Sequence, residues 1–121
     1  MEKVNTVKTT LLLIVGVIGS AIANLLGGWD TALQTILIFM AIDYITGLIV
    51  AGIFKKSTKT DTGALESKAW WKGLCRKGMT LLIILVASQL DKVAGTEVIR
   101  NAVIIGYIAN EALSIIENAG L

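Results

Sequence analysis

Residues 39–50 read FMAIDYITGLIV, and Asp43 is the one charged residue in an otherwise apolar run from Thr31 to Phe54. The run has 24 positions between Asp30 and Lys55. As a helix rising about 1.5 Å per residue it covers roughly 36 Å, enough to cross a hydrocarbon core of about 30 Å. Asp43 then falls near the bilayer midplane, where an aspartate costs about 2.5–3.5 kcal/mol. Twelve Leu, Ile, Val or Phe residues in the same segment, each favourable by roughly 0.3–0.6 kcal/mol, keep insertion favourable. On a helix the near neighbours of Asp43 are Ile36, Phe39, Met40, Thr46, Gly47 and Val50, of which only Thr46 is polar. The carboxylate therefore needs a partner on another helix, a water-filled space, or a proton.

Three further segments flank this one. Thr9–Trp29 is uncharged over 21 residues and long enough to span. Gly78–Leu90 has only 13 uncharged residues, so it spans by extending toward Trp70 and Ala94 while Lys77 and Lys92 snorkel. A fourth segment, from about Val98 to Ala119, carries Arg100, Glu111 and Glu117. The expectation is an all-α, oligomeric integral membrane protein of about four transmembrane helices, near residues 9–28, 31–54, 70–94 and 98–119, in one domain. Composition agrees. Of 121 residues, 55% are hydrophobic and 17% charged, with a mean hydropathy of +0.75, whereas average chains carry about 25% charged residues.

Charge placement gives the expected topology. The loop 55–77 holds seven cations against Asp61 and Glu66, a net of +5, which assigns it to the cytoplasm. Both termini then lie inside, and Lys3 and Lys8 at the N-terminus fit. Trp29 on the outer side, and Trp70, Trp71, Lys72, Arg76 and Lys77 on the inner side, are expected as interface anchors, with ordinary packing as the competing reading for the tryptophans. Lys3, Lys8 and an Ala21-Ile22-Ala23 stretch also admit a secretory signal as a lesser reading of the first segment.

At 100° per residue, Arg100, Tyr107, Glu111, Ser114 and Asn118 share about 60° of arc, with Asn110 beside them. This polar stripe reads as a pore lining, a subunit interface, or the wet face of a helix lying on the membrane. Gly16 and Ser20, and Gly47 with Ala51, have the small-residue spacing of closely packed helices, within the chain or between chains. The chain has no histidine and a single cysteine, Cys75, which excludes a Cys/His zinc site and an internal disulfide. No phosphate loop or nucleophile–base pair is present. We expect no enzyme activity, no metal or cofactor, and no nucleic-acid partner at a net charge of +2.

GGWD (27–30), DYITG (43–47), SKAWWKGLCRKG (67–78) and YIANEALSIIENAG (107–120) resemble, in order and spacing, the toxin-secretion/phage-lysis holins of Gram-positive bacteria and their phages. The resemblance covers about residues 10 to 120. It implies a homo-oligomer in the bacterial cytoplasmic membrane that opens lesions and so releases or activates an endolysin, or in some relatives a toxin. The family pattern continues into a polar, proline-containing tail that the sequence to Leu121 does not show. Two other readings stand beside it: a small proton-coupled transporter, and an antiholin or scaffold that regulates a partner.

Overall fold

The computed structural model describes residues 1–54 and 67–120, all-helical apart from short turns. The 55–66 part of the basic loop lies outside the described residues. Among the described residues four helices are long and apolar enough to cross a membrane: α1 (Glu2–Leu25), α2 (Thr31–Ile49), α3 (Ser67–Ala94) and α4 (Val98–Asn118). The chain continues α2 through a π-helical turn, Val50–Phe54. Two elements begin earlier than their uncharged cores suggest, α1 at Glu2 and α3 at Ser67, because nothing in the flanking lysine-containing residues opposes a helix.

The turns are written in the sequence. After α1, Gly27 and Gly28 adopt φ of 98° and 100°. The Gly28 N–H donates to the Ala23 carbonyl (2.8 Å) and the Gly27 N–H to that of Asn24 (3.1 Å), so the helix ends in a Schellman motif. A Cβ at Gly27 would also fall on the Arg100 side chain. Asp30 then starts α2 as its N-cap, its carboxylate accepting from the Leu33 N–H at 2.9 Å. Gly95 (φ 74°) closes α3 similarly, with the Thr96 N–H donating to the Asp91 carbonyl.

Three helices form the packed unit. The buried positions of α2, namely Leu33, Ile36, Met40, Asp43 and Gly47, alternate three and four residues apart. Trp70, Thr80, Ile84, Ala87 and Asp91 do the same on α3, with half-buried Gly73 and Lys77 filling the intervening places. On α4 the same spacing links Arg100, Ile104 and Glu111. Such a seam faces one direction over many turns and suits lengthwise helix packing. Helices α2 and α4 run parallel and α3 antiparallel, with α4 packed along both of the others.

Depth along this bundle is layered. Leu33, Ile36, Ile84 and Ile104 are fully buried, with Leu26 and Met40 beside them. A layer of charged groups lies on either side of this apolar layer. Helix α1 is different: none of its residues is buried, and among the described residues its main packing against another helix is with α3. An apolar helix without protein cover is stable in lipid, where the hydrocarbon itself solvates it.

Candidate functional site: an ionic cluster between three spanning helices

Asp43 occupies a seam position of α2, so the helix directs it at α3 and α4. Its carboxylate is 2.8 Å from the ammonium of Lys77 on α3. The same ammonium donates to both oxygens of Glu111 on α4, at 3.1 and 3.0 Å. Asn118, two turns beyond Glu111, completes the arrangement. Its amide donates to the Asp43 carboxylate (2.9 Å), the Asp43 carbonyl (3.1 Å) and the Thr46 hydroxyl (3.0 Å). The side chains of Asp43, Glu111 and Lys77 are 6%, 8% and 16% exposed. Two carboxylates thus share one cation. With both acids ionised, the three groups carry one net negative charge.

Lys77 therefore does not act as the interface anchor that its place beside the basic loop suggests. Its position on the buried seam of α3 turns it inward, where the attraction of two carboxylates in a poorly solvated site outweighs snorkelling. Trp70 likewise turns inward and is buried. Its ring lies over Gly47, where a Cβ would meet it at about 3.0 Å, and stands edge-on to Tyr44 with centroids 5.8 Å apart. Gly47 thus serves close packing within the chain. Trp71 and Trp29 remain exposed, at 66% and 61%. Nothing described packs on Gly16, and Ser20 is exposed.

The remaining residues of the α4 stripe separate into two groups. Asn110 and Ser114 line a polar cavity above the ionic cluster together with Lys68, Lys72 and Arg76. Tyr107 packs against the apolar core. Arg100 lies at the far end, away from the cluster and 6% exposed. Its guanidinium donates to the carbonyls of Leu26 (2.5 Å) and Gly28 (3.1 Å), and to both oxygens of Asp30 (2.7 and 3.1 Å). Asp91 holds the other side of the same residue. It accepts from the backbone N–H groups of Ile99 (3.0 Å) and Arg100 (2.8 Å) and from the Thr96 hydroxyl (2.6 Å). A carboxylate thereby caps the positive end of α4 from the neighbouring helix. The sequence reading missed Lys77 as a partner and Asp30 and Asp91 as members of this clasp. The three-and-four spacing of α3 contains the signal for Lys77 and Asp91.

The Arg100 guanidinium holds the Asp30 carboxyl below the usual carboxylate range, against a smaller opposing effect of burial and with help from the Leu33 N–H. A lowered folded-state value means that this contribution to stability is fully present above about pH 4, the ordinary aspartate value. It is lost as pH falls through the lowered one. Carboxyl-resolved NMR of the protein in micelles should give an Asp30 midpoint under pH 4. A midpoint at or above that value would mean that the clasp does not form.

The Bacteriophage holin family profile matches residues 20–121. An uncharacterized protein of Listeria innocua is 34% identical over 111 residues, covering 89% of this chain and 74% of that protein. An uncharacterized protein of Clostridium perfringens is 34% identical over 103 residues, with 84% and 72% covered. A protein of Bacillus phage phi105 described as a probable holin is 38% identical over 87 residues, covering 71% of this chain and 58% of the phage protein. No solved structure matches. The match spans α2, α3, α4 and both clusters of charged groups, and the chain is a multi-pass membrane protein that belongs to the bacteriophage holin family.

Proposed function

We propose that the chain is a phage holin that assembles into homo-oligomers in the bacterial cytoplasmic membrane and opens lesions through which an endolysin reaches the cell wall. Both termini and the basic segment face the cytoplasm in this reading. The observation that supports it best is the packing of Glu111 and Asn118 of the α4 stripe against Asp43 and Lys77, inside a chain whose spans present mostly apolar side chains on the outside. A single copy in this form offers lipid few charged groups and leaves the membrane intact. When copies meet, α4 trades its contacts with α2 and α3 for contacts with neighbouring chains. Glu111, Asn110, Ser114 and Asn118 then line water, and the membrane loses its seal. The two arrangements need differ by only a few kcal/mol for crowding or loss of the membrane potential to shift the population.

The test separates insertion from lysis. Asp43→Leu and Glu111→Leu should both insert, since each removes a costly carboxylate from a spanning helix. Each should also move lysis of an endolysin-expressing host by many minutes or abolish it. Normal insertion with lysis on schedule in both variants would rule out a role for the cluster. A wild-type chain that delays killing by another holin, and does not kill when expressed alone with endolysin, would be an antiholin.

A further inference from the structure

Lys68, Lys72 and Arg76 recur every fourth residue, which places them on one face of the first turns of α3. All three line a polar cavity of about 470 Å³ that also takes in Tyr44, Trp70 and Asn110, and its floor is the Asp43–Lys77–Glu111 cluster. Lys77 is committed to its two carboxylates. Among the described residues no acid pairs with the other three cations. Three cations above a floor of one ammonium and two carboxylates leave the cavity net positive.

Two further observations define what belongs there. Trp70 lines the cavity, is 7% exposed, and its indole N–H is buried without an acceptor among the described residues. An unneutralised cluster of cations favours an anion with several acceptor oxygens. The same helix exposes Trp71 and Leu74, and an exposed tryptophan at the end of a spanning helix marks the headgroup layer.

We propose that this cavity is a binding site for the phosphate headgroup of an anionic phospholipid, held by Lys68, Lys72 and Arg76, with its acyl chains along the apolar side of α3. Free phosphate has the same charge but no use for the hydrocarbon surface at Trp71 and Leu74. A zwitterionic headgroup brings its own cation into a positive cavity. The assignment rests on the membrane-spanning placement of the helices and not on lesion formation.

Native mass spectrometry of the full chain, released from micelles containing equal phosphatidylglycerol and phosphatidylcholine of matched chains, tests it. The wild type should retain one phosphatidylglycerol per chain with a preference of at least about tenfold, since each basic side chain near a headgroup layer is worth about fivefold. Lys68→Gln/Lys72→Gln/Arg76→Gln should lose the preference, whereas Lys68→Arg/Lys72→Arg/Arg76→Lys should keep it. Lys3→Gln/Lys8→Gln, on a different helix, should also keep it. No preference in the wild type would overturn the site, as would a preference that survives the triple glutamine variant or falls equally with Lys3 and Lys8. Displacement of the lipid by excess inorganic phosphate would reassign the cavity to the free anion and defeat the lipid proposal. A retained preference in a chain that never lyses cells would leave the site standing and sink the holin reading alone.

Discussion

Replacing Lys77 with methionine is expected to lower the stability of the folded chain by about 3–5 kcal/mol, the range for removing one partner of a buried ion pair. The side chain is of similar length, so little packing is lost. The loss instead comes from Asp43 and Glu111, which the ammonium now bridges at 2.8 and 3.0 Å, offsetting one of their two charges. Without it, two carboxylates confront each other in a site where their exposures are 6% and 8%. A companion variant isolates the charge effect: Lys77→Met with Asp43→Asn and Glu111→Gln should recover most of the loss, because no ion is then buried unpaired. Resistance to denaturant in mixed micelles, followed by helicity, measures both. Equal stability of wild type and Lys77→Met would mean that the cluster does not hold the three helices together.

Arg100→Leu is expected to cost about 3 kcal/mol, because hydrogen bonds to a charged group contribute about 1.5–3 kcal/mol and several are lost together. Its more specific effect is on α1. That helix buries no residue, and the Leu26 and Gly28 carbonyls held by the guanidinium belong to the turn that directs it. Spin labels at Leu12→Cys and Ile105→Cys in a Cys75→Ser background should give a narrow distance distribution in the parent and a broad one in Arg100→Leu. Arg100→Lys should recover only part of the order, since one ammonium cannot reach two carbonyls and both Asp30 oxygens at once. An unchanged width in Arg100→Leu would show that the clasp does not aim α1.

The all-helical architecture was legible because four apolar segments of spanning length leave few alternatives once water is excluded. That Asp43 needed a partner on another helix, a water-filled space or a proton was legible too, from the cost of a carboxylate among Ile36, Phe39 and Met40. Which partner was not. A lysine at the border of an apolar segment looks the same to a hydropathy window whether it snorkels outward or turns inward. Only its phase relative to Trp70, Gly73, Thr80 and Ile84 distinguishes the two, and that phase acquires meaning once the facing helices are known. Trp70 was ambiguous for the same reason, its environment being set by Gly47 on a different helix. Arg100 and Glu111 share one stripe of α4, yet they serve opposite ends of the bundle. Their common arc was visible in the sequence, but the 11-residue separation along the axis, about 16 Å, assigns them to different neighbours.

The layering of ions above and below the Leu33–Ile36–Ile84–Ile104 girdle has a mechanical corollary. Because Lys77 meets its acids on two different helices, sliding any one helix by a single turn, about 5.4 Å, parts it from at least one of them. Rotation about a helix axis is opposed equally, since it would swing a carboxylate toward acyl chains. The bundle consequently has a pinned register, with steep walls on both sides. Such a structure does not creep gradually toward an altered arrangement; it holds, and then jumps.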